Sequence, residues 1–297
     1  MDRVTAISQL KERLRQDVGA LYQRQDRAWS KPIVELLHQL RESDIRAVFF
    51  GGTLRSLLLS RVQNAKFGRP RDVDIVVAGA SLEDLRDRFE HSIRRETRFG
   101  GLQLERMSWR FDVWPLERTW AFRDMSDVVP RFAALPSTAF FNLEAVAVDV
   151  WAPPGKKRSI YSGRDQFFEG ILDRVLEINR EDNPFPALCV VRALVFASST
   201  GFAIGPTLAR YLARHVSISN EELAAVQQRH YGYVRLPCDL MRDWLNRVVS
   251  HVAVRPGVPL AFPRQKQLAL WPQDGPPMVK FHLLVRPTEA ESERSRR

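Results

Sequence analysis

The sequence predicts a mixed α/β (α+β) domain with a mixed β-sheet, followed by a helical region. Between about residues 30 and 160, apolar runs of strand length first alternate with amphipathic helical segments and then succeed one another directly. Beyond this part the apolar pattern is helical. The composition, with 44% hydrophobic and 27% charged residues among 297, is that of a folded protein and argues against a disordered chain.

The expected elements begin with two helices. Apolar side chains recur every three or four residues over 4–21, and Ser30 is the expected N-cap of the second helix. A buried strand over 47–50 then ends at the pair Gly51-Gly52, and a helix over 53–59 follows at once. The sequence therefore predicts a strand, a glycine turn and a helix in immediate succession.

The other expected elements, in order, are a strand over 73–77, a helix capped by Ser81, strands over 102–107 and 109–113, a β-rich run over 142–150, and helices over 187–198, 206–213, 221–230 and 239–252. From residue 254 the chain is rich in proline, with a strand-like run over 279–285 and a polar end over 288–297 that is expected to be disordered.

Composition excludes several classes of protein. No segment approaches the roughly 18 consecutive apolar residues of a membrane span, and the first residues lack the apolar core of a secretory signal. Cys189 and Cys238 are the only cysteines, too few for a disulfide scaffold or a thiolate zinc site. We therefore expect a cytoplasmic protein with no membrane partner.

The formal net charge is +10, which favours a polyanionic partner such as nucleic acid or a nucleotide. A genome that uses arginine freely would also produce a surplus, so its distribution is more informative than its size. Residues 51–71 contain no Asp or Glu and five cations, namely Arg55, Arg61, Lys66, Arg69 and Arg71.

The glycine turn predicts a phosphate-binding site. Gly51 and Gly52 leave backbone N–H groups open at the positive end of the following helix, where a phosphate is stabilised. Thr53 would add a hydroxyl donor and Arg55 a positive charge. These four residues are the predicted nucleotide-binding set.

Three aspartates predict a metal site. Asp72 and Asp74 are two residues apart in extended backbone, so their carboxylates project to the same side and need a cation to neutralise them. Mg²⁺ or Mn²⁺ fits such oxygen ligands. Asp112 lies in a later strand whose flanking residues face the other way, and it is the expected third carboxylate, as a ligand or as a base. Asp72, Asp74 and Asp112 are thus the predicted catalytic and metal-binding residues.

A metal site beside a phosphate-binding turn suits in-line transfer at the α-phosphate of a nucleoside triphosphate (NTP), with pyrophosphate as the leaving group. The segments Phe50–Leu58 and Arg71–Gly79 together resemble the head domain of the polymerase-β-type nucleotidyltransferases. The most similar branch is the class II CCA-adding enzymes and bacterial poly(A) polymerases, and residues Arg192–Ala197 and Gly201–Ile204 are similar to the helical neck of that branch.

The resemblance covers about residues 40–215 and implies a site and a domain order. It implies metal binding by Asp72 and Asp74, triphosphate contacts from Gly51, Gly52 and Arg55, and Asp112 as the third carboxylate. The expected domains are an N-terminal helix (1–29), a nucleotidyltransferase head (30–165), a helical neck-like domain (166–253) and a proline-rich C-terminal segment (254–297). Arg192, inside an apolar helix, is expected to pair with an acid or to reach the nucleotide.

Three departures from the family pattern are visible. Ser56 replaces an Asp of the glycine motif, and residues 136–145 replace a segment that carries a basic pair in the family. The Glu-Asp-x-x-Arg element, which selects the base in the family, is broken here: residues Glu181–Phe185 have no arginine at the expected spacing, and the register places Cys189 where an arginine would stand.

These observations lead to one main expectation and two alternatives. We expect transfer of an NMP unit from an NTP to an acceptor hydroxyl, and the resemblance and the charge favour an RNA 3′ end, of tRNA or another RNA, as acceptor. Nucleotidylylation of a small molecule or a protein, as resistance enzymes and toxins perform, stays open. So does a catalytically silent relative that binds nucleotide or RNA. The sequence does not indicate which oligomeric state the protein adopts.

Overall fold

The computed structural model of the protein describes residues 2–23, 27–41, 44–62, 72–97, 99–125 and 128–262. Of the basic segment, Lys66, Arg69 and Arg71 lie outside the described residues, as do the elements expected over 279–285 and 288–297. The described residues all belong to one compact unit. The predicted boundaries between head, neck and C-terminal segment stay predictions.

The helices are α1 (Arg3–Gln23), α2 (Arg27–Leu40), α3 (Gly52–Val62), α4 (Leu82–Phe89), α5 (Gln166–Asp173), α6 (Pro186–Thr200), α7 (Pro206–Arg214), α8 (Asn220–Tyr231) and α9 (Cys238–Val254). The strands are β1 (Arg46–Phe50), β2 (Val73–Ala78), β3 (Ile93–Glu96), β4 (Leu102–Arg106), β5 (Trp109–Pro115), β6 (Ala147–Asp149), β7 (Ile160–Tyr161), β8 (Val175–Leu176) and β9 (Ala203–Ile204).

Seven strands form one sheet in the order β3-β4-β5-β2-β1-β6-β7. Strands β2 and β5 run parallel, and the other neighbouring pairs of this sheet are antiparallel. Helices α6 to α9 follow the sheet in the chain. The prediction of a mixed α/β (α+β) domain followed by a helical region is therefore confirmed.

Local signals located most element ends correctly, with a few differences. Ser81 caps α4 through a capping box with Asp84, and Gly201 ends α6 with φ +72°, as its position predicts. Helix α2 begins at Arg27, so the expectation of an N-cap at Ser30 is wrong. Residues 142–144 form a 3₁₀ turn and not a strand, which limits the β-rich run to β6.

The sheet is covered on both faces. On one face, side chains such as Phe49, Ile75 and Phe111 join the main core with the helices and are fully buried. On the other face, Val48 and Val76 pack beneath 3₁₀ turns between residues 116 and 138. Phe50 and Ala147 also pack against this second cover, whereas Asp74, which lies in the same cross-strand row, is half-buried.

Gly79, directly after β2, turns the chain with φ +87°, and a Cβ there would lie 2.3 Å from the carbonyl oxygen of Asp44. Gly79→Ala is expected to lower the free energy of unfolding by about 2 kcal/mol or more, because a strained backbone and a backbone clash add together. Urea denaturation measures the loss. Gly155→Ala is the matched control, because Gly155 has φ +66° with no atom within 4 Å of the added Cβ. Equal losses for the two variants would contradict the clash.

None of the described helices has the length and apolar character needed to cross a membrane.

Candidate active site

Two of the predicted carboxylates lie directly opposite each other. In the parallel pair β2–β5, Asp74 is in register with Asp112, and on its other side Asp74 pairs with Phe50 of β1. Side chains of register partners lie on one face, and neighbouring strands are about 4.8 Å apart. Both aspartates are half-buried, while Val73 and Ile75 on the opposite face are fully buried. The sheet thus holds two half-buried carboxylates side by side on its second face.

Asp72 lies directly before β2, and its backbone connects the aspartates to the glycine turn. The hydroxyl of Thr53 donates to the carbonyl oxygen of Asp72 at 3.1 Å, and the Thr53 side chain is buried. In this arrangement Thr53 joins the start of α3 to the start of β2. Its predicted contact with phosphate stays a prediction.

The glycine turn lies against the carboxylates. Gly51 has φ +66°, and a Cβ there would lie 3.9 Å from Oδ2 of Asp74 and 3.8 Å from the carbonyl oxygen of Glu144. The Gly51 N–H donates to the carbonyl oxygen of Val146 at 3.0 Å, so this amide has a partner within the fold. Gly52 begins α3 and leaves the N-terminal end of that helix beside Asp74.

Arg55 and Arg192 share one carboxylate behind the turn. Arg55 of α3 donates from Nη1 to Oε1 of Glu144 at 2.7 Å, and Arg192 of α6 donates from Nη2 to the same oxygen at 2.5 Å. Their guanidinium groups lie over the rings of Phe196 and Phe141 respectively. The expectation that Arg192 pairs with an acid is confirmed.

Electrostatics keep this cluster charged. Burial raises the pKa of the Glu144 carboxyl, but the charges of Arg192 and Arg55 and their hydrogen bonds outweigh it and lower that pKa to about 2. Burial lowers the pKa of Arg192, and the charge of Glu144 more than reverses this. Two arginines on one glutamate leave one net positive charge next to the glycine turn. The arginine side chains keep 20% and 27% of their surface exposed.

Cys189 lies one turn before Arg192 on α6, at the position where the family resemblance places a base-selecting arginine. It is a free cysteine with 1% of its surface exposed, and burial raises the pKa of its thiol to about 12. This position therefore presents a buried neutral thiol and no hydrogen-bond donor of the kind that an arginine supplies.

The carboxylates fit a hard divalent cation by their chemistry and by the β2–β5 register, because paired carboxylate oxygens are the ligands that Mg²⁺ and Mn²⁺ prefer. Throughout the described ranges, however, no group of three or more His, Cys, Asp or Glu side chains is placed to hold a metal ion. The structure therefore brings Asp74 and Asp112 together, and the joint metal role of these two with Asp72 stays a prediction.

Two residues near the site were missed by the sequence analysis. Glu144 lies in a 3₁₀ turn within the run read as β-rich, and no local pattern pairs it with distant arginines. Gln103 of β4 is in register with Asp112 and donates from Nε2 to Oδ1 of Asp112 at 3.1 Å. The sequence does contain a signal for Gln103. This polar residue lies between two apolar residues of a strand, Leu102 and Leu104, as Asp112 does in its own strand, and the alternation places it on the face opposite to theirs.

No protein-family model and no curated protein matches the sequence. Solved structures do match. A CCA-adding enzyme in complex with CTP superposes with a TM-score of 0.52 at 19% identity, over 74% of this chain and 53% of that one. An apo form of a CCA-adding enzyme gives a TM-score of 0.52 at 16% identity, over 78% of this chain and 55% of that one.

Over about three quarters of its length, this chain shares its fold with part of these CCA-adding enzyme structures. The predicted likeness to the fold of those enzymes is thereby confirmed. At these identities the likeness concerns the fold, and the chain spans about half the length of those structures.

Proposed function

We propose that the protein is a metal-dependent nucleotidyltransferase that moves an NMP unit from an NTP to an acceptor hydroxyl and releases pyrophosphate. The observation that carries this proposal is the register of Asp74 with Asp112 beside the Gly51 turn. Two facing carboxylates are unfavourable without a cation, and a glycine turn at a helix start is suited to phosphate. The fold shared with a CCA-adding enzyme that was solved with CTP supports the same ligand class.

Each group of the site has a role in this reaction. Asp74 and Asp112, with Asp72, would hold Mg²⁺ or Mn²⁺. When bound, the cation supplies charge that activates the attacking hydroxyl and stabilises the leaving pyrophosphate. The acceptor oxygen forms a bond to the α-phosphorus while the bond to pyrophosphate breaks, and Asp112 would take the hydroxyl proton.

The glycine turn and Arg55 would stabilise the negative charge that develops on the pyrophosphate. Gly52 opens α3, whose N-terminal end carries partial positive charge. Oε1 of Glu144 lies 2.7 Å from Nη1 of Arg55, so the guanidinium group is already oriented before substrate binds. A cation that is already oriented needs little reorganisation during the reaction, which is how preorganised electrostatic groups lower a barrier.

The acceptor that we propose is an RNA 3′ end, because the net charge of +10 favours a polyanion and the fold is that of CCA-adding enzymes. The buried Cys189 at the base-selecting position argues that any base preference differs from that of enzymes with an arginine there.

The test is label transfer from each of the four α-³²P-labelled NTPs, with Mg²⁺ or Mn²⁺, to total RNA, a protein extract and a small-molecule extract. We expect label in the RNA fraction with the wild-type protein and with Asp87→Asn, a matched control at an exposed position on α4. We expect none with Asp74→Asn. Label in the protein or small-molecule fraction alone would replace the RNA acceptor. No label in any fraction with either ion would contradict the enzyme and favour a nucleotide-binding relative.

A further inference from the structure

A buried amide stands beside the proposed third carboxylate. Gln103 lies in β4 directly opposite Asp112, and its side chain donates from Nε2 to Oδ1 of Asp112 at 3.1 Å. Only 9% of Gln103 is exposed. A buried amide is costly unless its donor and acceptor are both satisfied, so this glutamine needs a partner on each side.

The second partner is a cation in the next strand. Arg95 of β3 is in register with Gln103 and donates from Nε to Oε1 of Gln103 at 3.1 Å. A guanidinium has donors and no acceptor, so the carbonyl side of the amide must face Arg95. The NH₂ side must then face Asp112. The orientation of the amide, which is ambiguous for many glutamines, is determined here by chemistry.

The register continues this pattern across four strands. Arg95, Gln103, Asp112 and Asp74 follow one another in β3, β4, β5 and β2. A positive charge at one end of the row polarises the amide, which strengthens the bond that the amide donates to a carboxylate. The hydrogen bond at Oδ1 also restricts rotation of the Asp112 carboxylate.

We infer that Gln103 is a positioning residue that orients the Asp112 carboxylate for the cation and the acceptor hydroxyl, and that Arg95 keeps Gln103 in its donating orientation. This inference rests on the proposed function. It assigns Gln103 no direct contact with substrate or cation. Gln103 acts on the reaction through Asp112.

The test measures Mn²⁺ affinity by electron paramagnetic resonance together with the kinetics of label transfer. Gln103→Met keeps the size of the side chain and removes both hydrogen bonds. We expect it to weaken Mn²⁺ binding by about 10- to 100-fold, as loss of a hydrogen bond to a metal ligand does. At saturating Mn²⁺ we expect a lower kcat and an unchanged KM for NTP, because the triphosphate contacts are elsewhere.

Arg95→Met tests the other half of the inference at an exposed position, where the variant is expected to fold. It should change Mn²⁺ affinity in the same direction and by less. The double variant should be no worse than Gln103→Met, because both changes break one chain of interactions. Arg95→Lys, which retains a cationic donor, should recover part of the loss.

Gln39→Leu is the matched control. Oε1 of Gln39 accepts a hydrogen bond from Nη1 of Arg106 at 3.1 Å, so this glutamine of α2 bonds an arginine as Gln103 does, and Arg106 also pairs with Glu35. The Gln39→Leu variant should bind Mn²⁺ with the affinity of the wild type. Wild-type affinity in Gln103→Met, with Asp112→Asn deficient, would overturn the inference and leave the proposed function standing. A wild-type protein that binds no Mn²⁺ would overturn both.

Discussion

Asp74→Asn and Asp112→Asn are each expected to slow nucleotidyl transfer by at least ~10³-fold, because a lost cation contact removes several kcal/mol of transition-state stabilisation. Neither change should lower the free energy of unfolding by more than about 1 kcal/mol. Asparagine keeps the size of the side chain and an oxygen that accepts hydrogen bonds, so it should preserve the packing of these two half-buried positions. Transfer rates and urea denaturation measure the two effects separately.

Metal-dependent melting provides the control. A cation that binds only the folded protein raises its melting temperature, so Mg²⁺ should stabilise the wild type and not either variant. Asp87→Asn on α4 should respond to Mg²⁺ as the wild type does. Retention of wild-type activity by Asp112→Asn would remove Asp112 from the site, while leaving the role of Asp74 to be judged from its own variant.

Glu144→Gln is expected to lower the free energy of unfolding at pH 7 by about 3–5 kcal/mol, the usual cost of removing one partner from a buried ion pair. The substitution leaves the guanidinium groups of Arg55 and Arg192 close together without the charge that compensates them. The Glu144 side chain is only 13% exposed, so solvent screens this repulsion little. Glu144 joins α3 to α6 through Arg55 and Arg192, so its replacement should lower the stability of the whole unit and not of one helix alone. Urea denaturation at pH 7 measures it.

The pH dependence of that loss is specific. The folded pKa of Glu144 is about 2, below the 4.5 of a free glutamate, so its stabilisation is present above about pH 4.5 and fades as pH falls toward 2. The shift corresponds to about 3 kcal/mol. The difference in stability between wild type and Glu144→Gln should therefore shrink by about that amount between pH 5 and pH 2. A difference that does not change with pH would contradict a charge-based role.

Glu105→Gln is the matched control for this experiment. Glu105 pairs with Arg94 on the sheet surface, where both side chains are 47% exposed. Exposed ion pairs contribute little to stability because water screens them. Its loss should be a small fraction of that for Glu144→Gln.

Patterns that act over a few residues were readable from the sequence. The Gly51-Gly52 turn between β1 and α3, the capping box at Ser81 and the end of α6 at Gly201 were predicted, because each depends on neighbouring residues and backbone preference. Alternation along a strand also placed Asp74 and Asp112 on the face away from their apolar neighbours. Strand β3 and helix α5 were not predicted.

Contacts between distant segments required the folded structure. Alternation along β2 and β5 shows which face an aspartate occupies, but it does not show that the strands are parallel neighbours or that Asp74 is level with Asp112. Likewise, the pairing of Glu144 with Arg55 and Arg192 joins residues 89 and 48 positions apart. The nature and rough location of the candidate site could thus be inferred from local chemistry. Its geometry depends on strand register and long-range charge pairing, which arise only when the whole core packs.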